Sequence, residues 1–530
     1  MRGNSEHGNR ETSGVPSSDG GGGRPANAAR DTAGAHAPEE SDGSIVPQKR
    51  ANKVAEAMAE HVEGSGPAKG NAREDAPRRT QSRKPVSFGL AGVREVARRD
   101  KEVRFTALLH HVSVECLRAS YFRMRKDASP GIDGMTWVEY GEDLEGRLTR
   151  LHGRIHRGAY RPEPSKRGWI PKVDGTKRPL GIPCLEDKIV QHAVKTVLEA
   201  IYEVDFRGFS YGFRPGRSQH NALDALYVGI TKRKVDWVLD ADIRGYFDTI
   251  DHGWMQKFLE HRIADRRIIR LIQQWLKAGV VEGSSWSEAD AGTPQGSAIS
   301  PLLSNVFLHY VFDLWADQWR RRNARGDVVI VRYADDFVMG FQYEGEARRF
   351  LEELRERFAR FGLELHADKT RLIEFGRFAA KARSGRGKPK PETFDFLGFT
   401  HACGTNSRGY FEIKRRPIAK RVRAKLQEIK LRLKYAMHNP VIEQGKWLQS
   451  VVRGWLRYYA VPGTSTILDC FRTQVARMWL RTLRHRSHKG RQKWTWERMV
   501  RLIRKWLPRA RILHPYPNQR LIVRPKAGAV

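Results

Sequence analysis

The amino-acid sequence predicts a mixed α/β (α+β) chain with a disordered N-terminal tail, a central region of mixed or antiparallel sheet, and an all-helical basic C-terminal region. Three observations carry that prediction. Residues 1–87 contain no Leu, Phe, Trp or Tyr, so this segment cannot bury enough apolar surface to offset its ordering entropy. Two β-rich runs, Val328-Val329-Ile330-Val331-Arg332 and Phe337-Val338-Met339-Gly340-Phe341, flank Tyr333-Ala334-Asp335-Asp336, which reads as a hairpin with acids at its turn. After Pro417, apolar residues return at helical spacing to about Trp506, among many Lys and Arg.

In chain order, the tail is expected to end near residue 90. A mixed helical stretch starts near Val93 and passes through Phe105, Leu108 and Leu109 towards Tyr121. Ser129-Pro130-Gly131-Ile132-Asp133-Gly134 is a loop, because its Pro and glycines oppose helix. Gly168 to Lys172 and Lys177 to Pro183, either side of Asp174-Gly175, form an extended hairpin with cations on both arms. Residues 184–203 read as a helix with Ile189, Val190, Ala193, Val194 and Val197 on its apolar face. Val235 to Ala241 is a strand that delivers Asp242. Helical spacing also fits 253–278 and 344–361, and Phe394 to Phe399 reads as a short strand pair. The C-terminal helices break at Asn439-Pro440 and Val461-Pro462-Gly463.

The formal net charge of the 530-residue chain is +36, which points to a polyanionic partner, nucleic acid before membrane. From His401 onward there are 31 Lys and Arg against 5 Asp and Glu. Trp447, Trp455, Tyr458, Tyr459, Trp479, Trp494, Trp496 and Trp506 are interleaved with them. Cations neutralise phosphates while aromatic rings fill the core or stack on unpaired bases, so an RNA-binding surface is expected here, with most of the tryptophans inside. Cys116, Cys184, Cys403 and Cys470 are scattered without zinc spacing, which argues against a disulfide framework or structural zinc and fits a reducing cytoplasm. No apolar run is long enough for a membrane span or signal peptide.

An adjacent Asp335-Asp336 pair is unfavourable unless a cation sits between the charges. Asp242, from a second strand, brings the count to the three carboxylates that a two-Mg²⁺ nucleotidyl-transfer site requires. Other motifs stand around them in order. Asp242 opens Asp242-Ile243-Arg244-Gly245-Tyr246-Phe247-Asp248; Gly292-Thr293-Pro294-Gln295-Gly296-Ser297 follows; Phe361 to His366 and Asp368-Lys369-Thr370 come after the hairpin.

This order resembles a reverse transcriptase palm. Ile170-Pro171-Lys172, Arg178 to Pro183, Ser210 to Ser218, Ser300 to Asn305, Phe394 to Phe399 and Gly454 to Tyr459 extend the likeness to the group II intron reverse transcriptase/maturase family. The resemblance covers about residues 95–515. It implies a right-hand polymerase: fingers at 95–234, palm at 235–411, helical thumb (maturase domain X) at 412–485, then a basic DNA- or RNA-binding extension at 486–530.

The resemblance also implies roles. Asp242, Asp335 and Asp336 would be catalytic and, with the backbone carbonyl of Ile243, would hold two Mg²⁺ ions, with Mn²⁺ as a substitute. Lys172 and Arg178 would clamp the incoming triphosphate; taken singly, either reads as a surface ion pair. Phe247 would exclude a 2′-hydroxyl, its alternative being an ordinary core ring. Gln295 would touch the nucleotide sugar or triphosphate, and Lys369 would contact phosphate, assist the leaving group or remain a solvated lysine. Asp240 and Asp248 receive no metal role. His220 and His252 default to packing or hydrogen bonding, and Glu186-Asp187-Lys188 to helix start and surface charge.

The implied activity is RNA-directed DNA synthesis from dNTPs on an RNA template with a DNA primer. Binding of the chain's own intron RNA, splicing assistance and insertion into target DNA go with it. No cysteine follows Cys470, so a C-terminal His-Asn-His endonuclease with paired cysteines is not expected. The competing readings are a splicing-only RNA-binding maturase, and a reverse transcriptase diverted to host defence or diversification.

Overall fold

Val238, Val329, Val331 and Val338 face one apolar cluster, while Leu239, Ala241, Ile330, Phe337 and Met339 face another. Both faces of the central sheet are therefore covered, which is why these strands read as nearly continuous apolar runs rather than strict alternation. A computed structural model describes residues 89–171, 177–282, 285–287, 291–293 and 296–520. The expected disordered tail, Lys172 and Gln295 lie outside the described residues, as does the side chain of Arg178.

The N-terminal part begins with α1 (Leu90–Arg99), α2 (Val114–Arg123) and α3 (Leu144–His156). Helix α2 starts where the Ser113 hydroxyl accepts the Cys116 N–H, a side-chain N-cap. β1 (Ser165–Pro171) and β2 (Lys177–Ile182) then pair antiparallel as the expected hairpin. Helices α4 (Leu185–Asp205) and α5 (Gln219–Lys232) follow, the latter opened by a capping box of Ser218 and Asn221.

β3 (Trp237–Asp242) is the expected acid-bearing strand. The single helix expected at 253–278 is instead two, α6 (His252–Arg262) and α7 (Arg266–Lys277). Ile263 leaves the helix to bridge Phe105, and the Asp265 carboxylate accepts the N–H groups of Leu108, Leu109 and Arg267 at 2.8, 3.0 and 3.1 Å. Helices α8 (Ser300–Leu308) and α9 (Leu314–Arg322) are joined by a π-helical turn, His309–Asp313.

β4 (Val328–Tyr333) and β5 (Asp336–Phe341) form the acidic hairpin, α10 (Glu344–Arg360) packs behind it, and β6 (Arg371–Glu374) completes the sheet. The strand order is β4-β5-β3-β6, antiparallel throughout. A three-stranded sheet of β7 (Phe394–Phe396), β8 (Phe399–Thr405) and β9 (Phe411–Pro417) has β8 in the middle.

The C-terminal part is helical: α11 (Ala419–Tyr435), α12 (Val441–Tyr459), α13 (Ser465–Arg484) and α14 (Trp496–Trp506). Trp455 and Trp479 are buried and Trp447, Trp494 and Trp506 half-buried, so most of these rings serve packing, whereas Trp496 is exposed. The chain then returns to α5: the His514 ring stacks on His220 at 3.7 Å and Arg520 pairs with Asp224 at 3.0 Å. No helix among the described residues is long and apolar enough to cross a membrane.

Candidate active site

β3 ends on Asp242 and β5 begins on Asp336, and the strand register sets the two directly opposite. The Asp242 carbonyl accepts the His366 N–H at 2.8 Å on the β6 side. The pair with Asp336 is therefore a non-hydrogen-bonded one, the type in which Cα atoms stand about 4.5 Å apart and side chains come closest. Asp240, two residues earlier, shares the face of Asp242. Asp335 sits in the turn, next to Ala334 at φ 60.

Ile243 forms an isolated bridge with Leu365, bordered by the Arg244 N–H to the Glu364 carbonyl and the His366 N–H to the Asp242 carbonyl, both at 2.8 Å. This pattern turns the carbonyl of Ile243 itself away from Leu365, to the β5 side where the acidic turn lies.

The electrostatics follow from this crowding. Burial pushes Asp336 up to about 8, and the carboxylates of Asp240, Asp335 and Asp242 add to the rise, while Arg421 of α11 opposes it. Burial also lifts Asp240, to about 6, against the pull of its ion pair with Arg371 at 3.6 Å. Like charges held directly opposite on a sheet are destabilising, so a cation is the natural complement of this cluster.

Lys369 supplies one such charge: its Nζ donates to Asp242 Oδ2 at 2.8 Å. Among the described residues no group of three or more His, Cys, Asp or Glu side chains is arranged so as to hold a metal ion by itself. An open, acid-rich site of this sort suits ions whose coordination is completed by substrate oxygens and water.

Phe247 is half-buried beside Tyr246, with ring centroids 5.3 Å apart, and its carbonyl accepts the Thr293 N–H at 2.7 Å. The Phe247 and Gly292-Thr293 motifs thus meet in space. His252 bonds to the Gly292 carbonyl at 2.7 Å and His220 to the Tyr458 carbonyl at 2.8 Å, the packing and hydrogen-bonding roles expected of them. Asp187 departs from its expected surface position. It starts α4 but is buried, accepting the Tyr160 hydroxyl and, at 3.2 Å, the Glu163 N–H.

Arg332 is a site residue that motif reading passed over. It is fully buried in β4 and donates to both Asp313 carboxylate oxygens at 2.7 and 2.5 Å, to Asn305 Oδ1 at 3.0 Å and to the Ala334 carbonyl at 2.9 Å. The π-helical turn is what presents Asp313 to it. Asn305 in turn donates to the Gly212 carbonyl at 2.7 Å. This network ties the acidic turn to the loop around Gly212. Asp240, to which the sequence assigns no metal role, joins the cluster because its i, i+2 spacing puts it on the same sheet face as Asp242.

Residues 170–401 match the family model described as reverse transcriptase (RNA-dependent DNA polymerase). The chain is 36% identical over 276 residues to protein YkfC of Escherichia coli (strain K12), an alignment covering 46% of this chain and 72% of that protein. It is 40% identical over 169 residues to the group II intron-encoded protein LtrA of Lactococcus lactis subsp. cremoris, covering 31% of this chain and 27% of that protein. An uncharacterized 91 kDa protein in a cob intron of Schizosaccharomyces pombe is 42% identical over 146 residues, covering 28% of this chain and 18% of that protein. The matched stretch contains the whole acidic sheet, from Asp242 through the Asp335-Asp336 turn. With this agreement between the acid-bearing sheet and its relatives, the chain belongs to the group II intron reverse transcriptase/maturase family.

Proposed function

We propose that this protein is an RNA-directed DNA polymerase of a group II intron that also binds the intron RNA to promote splicing and mobility. The observation that carries this reading is the opposition of Asp242 and Asp336 beside Asp335, inside the stretch that matches the reverse transcriptase family. In this reading residues 95–234 are the fingers, 235–411 the palm, 412–485 the thumb and 486–530 a basic nucleic-acid-binding extension.

Asp242, Asp335, Asp336 and the Ile243 carbonyl would hold two Mg²⁺ ions. When bound, such ions lower the pKa of the primer 3′-hydroxyl and stabilise the leaving pyrophosphate. The chain's own residues do the placing. With Asp242 holding an ion, the Lys369 ammonium that pairs with it at 2.8 Å would be available to a substrate phosphate. Lys172 and Arg178 grip the triphosphate, Gln295 touches the nucleotide, and Phe247 presses against the sugar to favour dNTPs. The template is RNA, the primer DNA, and the target of insertion DNA.

Primer extension by the purified full chain tests the reading. A DNA primer on an RNA template should be extended with dNTPs and Mg²⁺, and extension should stop when the metal is chelated. Tight intron-RNA binding without extension under Mg²⁺ or Mn²⁺ would leave a splicing-only RNA-binding protein.

A further inference from the structure

Phe213 is a half-exposed aromatic ring held in the left-handed region, with φ 59 and 48% of its surface accessible. A bulky residue there is a conformational outlier that glycine would relieve. Its surroundings leave the backbone little choice. A Cβ on the preceding Gly212 would fall 2.2 Å from the Ala334 nitrogen, so the loop lies flush against the acidic turn. The Gly212 carbonyl is taken by Asn305 at 2.7 Å. The following Arg214 is buried, paired with Glu203 at 3.1 Å and donating to the carbonyls of Arg207 and Ser210 at 2.7 and 2.8 Å. Ser210 bridges Arg332 itself, and the Tyr211 N–H bonds the Arg332 carbonyl at 2.8 Å.

The fold thus fixes both neighbours of Phe213 and holds its ring out beside the carboxylate turn. The ring lies 6.3 Å from that of Tyr333 at an interplanar angle of 44°. Strain that surrounding structure over-determines collects at functional positions. Here it maintains apolar surface at the mouth of a site whose polar groups serve phosphates and cations.

We propose that Phe213, with Tyr333 beside it, forms an apolar shelf on which the growing end of the template–primer duplex rests. The inference builds on the polymerase reading of the site. Sugar faces and base faces are apolar and common to all four nucleotides, so contact through a ring tolerates any sequence. The shelf positions the primer end over Asp335 without reading it. Its ligand is an RNA–DNA hybrid; the incoming nucleotide is bound elsewhere.

The test compares Phe213→Gly, Phe213→Ala and Phe213→Trp in the full chain. Three readouts are needed: equilibrium binding of a 3′-recessed RNA–DNA hybrid without dNTP, the KM for dNTP, and the melting temperature. Phe213→Gly removes the ring and relaxes the backbone, so its melting temperature should equal or exceed wild type. Its hybrid affinity should fall about tenfold, in the range of one lost aromatic–base contact. The KM for dNTP should stay unchanged, Phe213→Ala should bind like the glycine variant, and Phe213→Trp should bind like wild type. Wild-type hybrid affinity in Phe213→Gly overturns the shelf. So does a drop in melting temperature alongside the weakened binding, because the ring would then be core. A wild-type chain that binds the hybrid but never extends it sinks the polymerase reading alone, and the binding comparison still decides the shelf.

Discussion

Asp336 stands where burial and three neighbouring carboxylates all oppose its ionisation, and the charge of Arg421 is the weakest of the named influences and the one that favours it. Such a position has value only if a cation arrives. Replacing Asp336 with Asn should therefore stabilise the metal-free protein by about 1 kcal/mol, the upper range for relieving one like-charge cross-strand pair. That corresponds to a gain of about 2 °C in melting temperature. The same variant should lose primer-extension activity. A thermal melt in chelator-treated buffer beside an extension assay checks both, and a less stable Asn variant would contradict the account. The triad of acids is legible as a motif and the i, i+2 spacing puts Asp240 on the face of Asp242, but its effect on Asp336 follows from the pairing of β3 with β5, which no local pattern encodes. Strain gathers in the same place. Among the described residues, the non-glycine residues at positive φ are Phe213, Ala334 and Leu397. Ala334 lies in the turn, Phe213 is beside it, and the Leu397 carbonyl accepts the hydroxyl of Tyr458 at 2.7 Å.

Helix α4 carries a different buried acid at the scale of the element. Burial lifts Asp187 to about 7, against the bonds it receives from Tyr160 and Glu163. A carboxyl whose pKa is raised on folding favours the folded state fully at pH below the unfolded value, and that contribution is lost as pH rises through the folded value. The melting temperature of wild type should therefore fall from pH 4 to pH 8 more steeply than that of Asp187→Asn. Parallel melts across that range test it; curves of equal slope would show that the buried carboxyl is not the source. Periodicity located α4, α10 and the strands of both hairpins, because each has one repeating apolar pattern and clear ends. It ran α6 and α7 together for a physical reason. No Gly or Pro marks residues 263–265; the break is made by Ile263 pairing with Phe105 and by Asp265 capping a distant segment, contacts that no local pattern encodes. The hairpin β4–β5 was legible in outline, yet the Arg332–Asp313 pair that secures its turn depends on a π-helical turn elsewhere in the chain.

Across the whole molecule, the acids concentrate function in one sheet while the cations spread over the surface. The net charge of +36 makes binding to structured RNA a counterion-release process. Affinity should fall about 10³-fold between 50 and 200 mM salt, as for a protein with six or more phosphate contacts. A filter-binding titration that stays flat across that range would refute the electrostatic account. The C-terminal segment folds back on α5 through His514 and Arg520, so the basic helical part and the acidic sheet are held in one structure. The direct measurement is primer extension on an RNA template by Asp335→Ala, with binding of structured RNA measured on the same preparation. Asp335→Ala should give no extension product while keeping RNA affinity within a few-fold of wild type. Polymerisation that survives the substitution would contradict the assignment of this turn as the metal-dependent active site.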